Sequence, residues 1–526
     1  MPRPKVFLAA LAALAALLPL QASAVPADVG DRIGVYRTGL FDEGAAEIVS
    51  YDTKTHRVYV INAAAATVDV LDIGDPTDPT LVDTLDATLY GAGINSVAVH
   101  NGLIALAVEA DPATDPGAVV FFDRNGSFLG RVEVGALPDM ITFTPNGRYV
   151  LTANEGEPES YCEGARDPEG SVSIIDLHGG IARLDQSRVT TAHFRRFNGR
   201  ADLLNARGVR IYGPGATVAQ DLEPEYIATS KNGRSAWISL QENNAIGLID
   251  IKEGKITSVR SLGLKDHLDS DNSFDPSDED GSISIDNWPV RGMYQPDALS
   301  AVRSNGKDYV VTANEGDARE YDCFAEETTV GDETLDPDDF PDAAQLQTPE
   351  QLGNLKMSVT SPTNAEAERT EIHAFGGRSF SILNSKGTMI WDSGSSFEQI
   401  TAEYLPDEFN STNDENDSFD SRSPDKGPEP EGLATGKIGP RDYAFIGLER
   451  IGGVMVFDIT DLGDPSFVTY FNSRNFSGDP LADTAGDLGP EGLYFIGPSR
   501  SPNGRPLLVV GHEVSGSTAI YDLTGL

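Results

Sequence analysis

The sequence predicts an all-β chain: a seven-bladed β-propeller closed by an N-terminal strand in the last blade, with long acidic loop insertions. Three observations carry that prediction. Short apolar runs rich in Val, Ile, Tyr and Phe alternate with Gly, Asn, Asp and Pro turns, and helical periodicity is almost absent. The runs recur in cycles of four, as repeated blades do. The seventh cycle lacks a fourth strand, while residues 33–41 have no neighbour to pair with. Each remainder completes the other and leaves no blade open to fraying. A β-sandwich explains the alternation and the turns, but not the complementary remainders.

Taken in order, residues 1–24 read as an export leader. Arg3 and Lys5 precede an apolar run over 6–20, and Ala22-Ser23-Ala24 is a small-residue cleavage signal. The run is short for a membrane anchor. Residues 25–526 then read as a single domain. The cycles cover 47–85, 95–134, 140 onward with a fourth strand that is hard to place beyond Gly180, 226–262, 298–392, 432–471 and 492–523. Between strands lie inserts at 180–221, 265–288, 324–371 and 397–429, the first carrying a short helix at 201–206. Loops of this length are functional or disordered more often than not. Three of them are dense in Asp, Asn and Ser, which suits cation-binding loops or solvated linkers.

The formal charge is −43, or −45 once Arg3 and Lys5 leave with the leader. Such a surface repels nucleic acid and anionic lipid and attracts cations. The acids are concentrated rather than spread. Val150-Leu151-Thr152-Ala153-Asn154-Glu155-Gly156 returns as Val311-Thr312-Ala313-Asn314-Glu315-Gly316, each copy following a Pro-Asp step at Pro138-Asp139 or Pro296-Asp297. Echoes place Glu225 with Glu242, Glu431 with Glu449, and Glu491 with Glu513. In a propeller both connections open on one rim. Asp139, Glu155, Glu225, Glu242, Asp297, Glu315, Glu431, Glu449, Glu491 and Glu513, with Glu109, are therefore expected to converge on the channel mouth. Carboxylates pointed at one volume raise each other's pKa unless cations neutralise them. Calcium suits such an oxygen-only site, whereas no His or Cys pair has the spacing of a zinc or copper site. The competing reading is that each Glu caps its own turn.

Two loops resemble cation sites locally: Asp275, Asp278 and Asp280 before Gly281, and Asn413 to Asn416 followed by Asp420, Arg422, Asp425 and Lys426. Neither has the glutamate spacing of the helix-flanked calcium loop. Basic residues are scarce, so Arg319, Arg450, Arg422 and Lys426 beside the acidic motifs are candidates to fork phosphate oxygens. Simple ion pairing explains them equally well. The nucleophile elbow, the phosphate-binding loop and the dinucleotide fingerprint are all missing. Cys162 and Cys323 each follow a motif copy and a tyrosine, which favours one disulfide across a shared face over two free thiols.

These motifs resemble the choice-of-anchor I family. The resemblance rests on the twice-written Thr-Ala-Asn-Glu-Gly and on Asp221-Leu222-Glu223-Pro224-Glu225 with Leu240-Gln241-Glu242-Asn243-Asn244. It extends to the run from Asn287 to Asp297, to that from Asp425 to Gly432, to Leu448-Glu449-Arg450 and to Leu488-Gly489-Pro490-Glu491-Gly492. It covers nearly the whole mature chain and implies a bacterial, exported propeller similar to mesenchyme-specific cell-surface glycoproteins of biomineralising animals. Some members bear an alkaline-phosphatase or phytase-like label. A calcium-dependent phosphoesterase and a non-catalytic calcium-binding surface or matrix protein are thus the two leading expectations. A sugar- or protein-binding propeller using Tyr161, Tyr294 and Tyr321 is the third. The chain ends at Leu526 without an anchor or sorting tail, so the expected location is secreted or periplasmic.

Overall fold

Seven four-stranded antiparallel sheets dominate the computed structural model, which describes residues 29–526. The predicted leader lies outside the described residues. The first strands of the seven sheets are Val49–Asp52, Ile94–His100, Pro138–Phe143, Ile227–Thr229, Leu299–Ser304, Pro430–Ile438 and Pro490–Ile496. Each packs on the first strand of the next sheet, and Pro490–Ile496 packs on Val49–Asp52, so the contacts return to their start. The arrangement is propeller-like.

Burial follows position within a sheet. Leu103–Val108, a second strand, buries nearly every residue, while Thr80–Asp86, a fourth strand, is mostly exposed. Strands covered on both faces read as continuous apolar runs, and outer strands tolerate polar residues. Sheets meet through interleaved Val, Ile and Leu; Ile61 and Val68 of the first sheet share a core with Leu106 and Val120 of the second. Among the described residues no helix is long and apolar enough to cross a membrane.

The last sheet takes its outer strand from the other end of the chain. Asp31–Arg37 pairs antiparallel with Ser517–Asp522, with Val35 opposite Ala519. Asp487, fully buried, fixes it: Arg32 and Arg37 donate to its two carboxylate oxygens at 2.5 and 2.8 Å, and the Ser473 and Ser517 hydroxyls donate as well. The strand stops at Arg37, short of the expected residue 41.

The inserts differ from expectation. Those at 265–288 and 324–371 are not plain loops but fold together. Leu264–Asp266, Arg291–Met293, His373–Ala374, Lys356–Ser358 and Glu327–Thr329 form a five-stranded sheet in that order. Phe274, Val290, Leu335, Phe340, Leu352 and Met357 are buried beneath it. These apolar residues are separated by acidic stretches, so no run betrays them. The fourth insert begins with an unexpected helix, Ser396–Tyr404, whose Phe397 and Ile400 pack with Phe457 of the sixth sheet. The expected short helix is present at Ala201–Asn205, and the third sheet's fourth strand is Val189–His193.

Candidate cation site at the channel mouth

The Pro-acid steps share one backbone device. In the third sheet Pro138 pairs with Asn154 and Ile141 with Thr152, so the first strand carries one extra residue. The same bulge separates Pro430 from Leu433 and Pro490 from Leu493. A bulge re-aims the side chains it displaces, here Asp139, Glu431 and Glu491. The residue before four of these prolines is left-handed: Leu137 at φ 45°, Gln295 at 41°, Glu429 at 48° and Gly489 at 68°. Non-glycine residues avoid this region, and a residue before proline prefers extended backbone. The surroundings enforce it. The carbonyls of Leu137, Gln295, Glu429 and Gly489 accept from the amides of Glu155, Gly316, Glu449 and Glu513 at 2.9, 3.1, 2.9 and 2.9 Å. Each bond draws the acid after the second strand towards the acid after the proline.

Within the repeated motif, Thr and Asn are scaffolding. Thr152 donates to Asn154 Oδ1 at 2.9 Å, and Asn154 Nδ2 donates to Ser173 Oγ at 3.0 Å. Thr312 and Asn314 repeat this, Asn314 donating to Ser379 and Ser381 at 3.1 and 2.7 Å. Both asparagines are fully buried. Glycine is required where neighbouring sheets touch: a Cβ on Gly432 would lie 2.1 Å from the Glu491 carbonyl oxygen.

A cavity of about 230 Å³ opens between the first strands, walled by Asp139, Glu225, Asp297, Glu315, Glu431 and Glu491. Oxygens of Asp297, Glu315 and Glu431 lie within 4.8 Å of one another. Burial first, and then mutual repulsion, pushes Glu225, Asp297, Glu431 and Glu491 well above the usual carboxylate range. The same causes lift Asp139 to about 7, with Glu157 and Glu109 the repelling neighbours. Glu155, Glu242, Glu449 and Glu513 are raised too, again chiefly by burial. One oxygen each of Glu225, Glu431 and Glu491 is inaccessible and has no hydrogen-bond partner. Buried carboxylate oxygens without a partner are costly and call for a counter-charge, a proton or water.

One sector of the mouth is already neutralised. Glu429, fully buried, has Lys426 Nζ at 3.0 Å and Arg450 Nε at 3.1 Å, and accepts from Arg422 Nε at 3.0 Å. Burial opposes its charge, but the three cations outweigh that and pull it to about 2. Lys426 also donates to Glu315 at 2.8 Å, and Arg450 pairs with Glu449 at 3.0 Å. Oxygens of Glu315, Glu429 and Glu449 also cluster within 4.8 Å, yet their charge is matched by these cations. Among the described residues, Asp297, Glu431 and Glu491 have no such ion-pair partners.

Some expected site residues lie elsewhere. Arg319 is fully buried, with its guanidinium committed to Glu223 at 2.6 Å and Asp221 at 3.2 Å, over the Tyr212 ring. It does not reach the mouth as a phosphate ligand. Asp275 is buried and lifted to about 8, mainly by burial, while Asp278 is exposed. Glu47, Asp317 and Glu429 are additions that the sequence reading missed. Glu47 is lifted to about 8 and Asp317 to about 7, burial leading in both. Asp317 could have been found, because both motif copies read Asn-Glu-Gly-acid, with Glu157 in the other. Cys162 and Cys323 are joined, with Cα atoms 5.2 Å apart, and tie the loops after Glu155 and Glu315 together.

The chain is 31% identical over 191 residues to Gigasin-3a of Magallana gigas, matching 33% of this chain and 66% of that protein. It is 27% identical over 349 residues to a mesenchyme-specific cell surface glycoprotein of Strongylocentrotus purpuratus, matching 59% of this chain and 43% of the relative. The match thus spans less than two thirds of either relative's length. Among solved structures, Kuenenia stuttgartiensis hydrazine synthase superposes with a TM-score of 0.47 at 12% identity, over 93% of this chain and all of that one. The Cps50 (Swd1) β-propeller domain of Myceliophteria thermophila gives 0.44 at 8% identity, over 93% of this chain and 99% of that one. The choice-of-anchor I domain model matches residues 47–462, and the chain belongs to that family.

Proposed function

We propose that the seven sheets are the blades of one closed ring, and that the protein is an extracellular or cell-surface propeller holding calcium at its channel mouth. Asp297, Glu315 and Glu431 would be the inner ligands, with Glu225, Glu491 and Asp139 around them. The observation that carries this is the meeting of three carboxylates within 4.8 Å, beside partnerless buried oxygens on Glu225, Glu431 and Glu491. The donor set is all oxygen and irregular, which suits calcium better than zinc or copper. The disulfide suits an oxidising compartment, and one relative is named as a cell surface glycoprotein.

Binding without turnover is the reading the geometry favours over a phosphoesterase. A phosphate ester beside the metal needs free cationic donors. Arg422, Lys426 and Arg450 are each paired with Glu429, and Arg319 is sealed away. Titration calorimetry on EDTA-stripped protein should show saturable calcium binding. The melting temperature should rise with calcium concentration, because the ion binds the folded ring better than the unfolded chain. Glu431→Gln and Asp297→Asn should each weaken binding by about tenfold or more. A calcium-indifferent melt with no binding heat would sink the proposal. Hydrolysis of p-nitrophenyl phosphate that EDTA abolishes, calcium restores and Lys426→Met removes would replace it with the enzymatic reading.

A further inference from the structure

Away from the channel, two inserts meet over a single guanidinium. Arg378, buried, donates to the carbonyls of Asp275 at 2.9 Å, Ser423 at 2.7 Å and Asp425 at 2.7 Å, and to Glu398 at 2.6 Å. The Asp275 and Ser423 segments are therefore held within one guanidinium's breadth of each other. Beside this clamp the chain folds back on itself: the amides of Asp420 and Arg422 donate to the carbonyls of Phe409 and Asn410 at 2.7 and 2.9 Å. Ser423 Oγ then acts as a hub. It receives Asn410 Nδ2 at 2.8 Å and gives its one proton to Asp420 Oδ1 at 2.5 Å. The two side chains are locked side by side, and one oxygen of each is left over.

Asn410 Oδ1 and Asp420 Oδ2 are both inaccessible and have no hydrogen-bond partner, in residues that are 0% and 1% exposed. Asp280, Glu398 and Asp278 are the carboxylates whose charge bears on Asp420. Among the described ion pairs none involves Asp278, Asp280 or Asp420; Arg422 is taken by Glu429 and Asp425, and Arg378 by Glu398. Two buried orphan oxygens, one of them a carboxylate's, thus lie where further carboxylates repel Asp420 and no ion pair among the described residues offsets them. A buried, unmatched carboxylate is strongly unfavourable unless an ion or proton compensates.

We propose a second divalent-cation site here, shared by the two inserts. Asp420 and Asn410 are its inner ligands, and Asp278 and Asp280 close it from the solvent side. Carboxylate and amide oxygens without a preset octahedron favour calcium over magnesium. The site has a structural consequence for the channel. Asp420 lies on the same segment as Arg422 and Lys426, which that segment delivers to Glu429 and Glu315. Loading the site fixes the strap that neutralises one sector of the mouth.

The test uses the full chain with Glu431→Gln as background, so that calcium at the channel is weakened. Calcium titration should still show one equivalent. Asp420→Asn should abolish it, and the pair Asp278→Asn/Asp280→Asn, at an exposed and a half-buried position outside the core, should weaken it by about tenfold. Hydrogen exchange should show calcium-dependent protection of residues 405–428, and the same variants should lose it. If Asp420→Asn fails to fold, the surface pair decides. Protection and stoichiometry unchanged by that pair, or no calcium-dependent protection of 405–428 in the wild type, overturns the second site. Protection that persists while channel binding is absent would reject the channel reading and keep this one.

Discussion

Asn314 and Glu315 stand side by side in the repeated motif and do different work. Asn314 bonds Thr312, Ser379 and Ser381 inside the fifth sheet, and the neighbouring Glu315 faces the cavity and Lys426. Asn314→Ala should take the 2.8 Å acceptor from the buried Thr312 hydroxyl and one donor each from Ser379 and Ser381, whose own protons stay on Asp392, at a cost of ~1–3 kcal/mol. The expected outcome is a melting temperature lowered with or without calcium, measured by circular dichroism. Glu431→Gln should do the opposite in metal-free protein. Burial and Glu449 raise its carboxyl, so keeping this group in the empty fold near neutral pH costs stability, and an uncharged isostere should raise the EDTA melt while blunting the calcium response. The repetition of the motif was legible in the sequence; the division of labour inside it was not. Neither Asn nor Glu betrays by its letter whether it bonds a sheet or faces a channel. Glu429 was missed for a related reason: its importance lies in a left-handed φ and three cations that arrive from both sides of it in the chain.

At the level of elements, strands were legible and inserts were not. Alternating or continuous apolar runs mark each sheet strand, since burial of one or both faces leaves a period in the sequence. The five-stranded insert sheet has strands of two or three residues and draws its core from distant Phe274, Leu335 and Met357, so no local window shows it. The pairing of Asp31–Arg37 with Ser517–Asp522 was readable only by counting strands that lacked partners. Its strength is local: Asp487 holds Arg32 and Arg37 by charge. Asp487→Asn should weaken that latch by ~2–3 kcal/mol, below the ~3–5 of a fully buried pair because both arginines keep access to water. Hydrogen exchange should then speed up along 31–37 before any other sheet strand. Uniform exchange across all seven sheets would show that the latch carries no special share of the stability.

Across the whole molecule, charge is the quantity that folding must manage. The chain holds an excess of 43 acidic charges, and its fold turns a portion of them inward on one channel. The consequence for stability has a definite sign. Glu47 is lifted to about 8, and Asp139 and Asp317 to about 7, in each case first by burial and then by neighbouring carboxylates. In the unfolded chain such groups ionise near ~4. Between those limits the folded state binds more protons than the unfolded one, so stability falls as pH rises. Metal-free protein should therefore lose melting temperature steadily from pH 5 towards pH 8, where the last of these groups ionises in the fold. Calcium bound as proposed would supply the missing positive charge and should act most strongly where repulsion is greatest. The calcium-induced rise in melting temperature should accordingly be small at pH 5 and large at pH 8, leaving the loaded protein with a nearly flat profile. Melting curves at stepped pH, with EDTA and with saturating calcium, measure both slopes. Parallel profiles with and without calcium would mean that the channel carboxylates are neutralised by protons alone, and that the ion binds elsewhere.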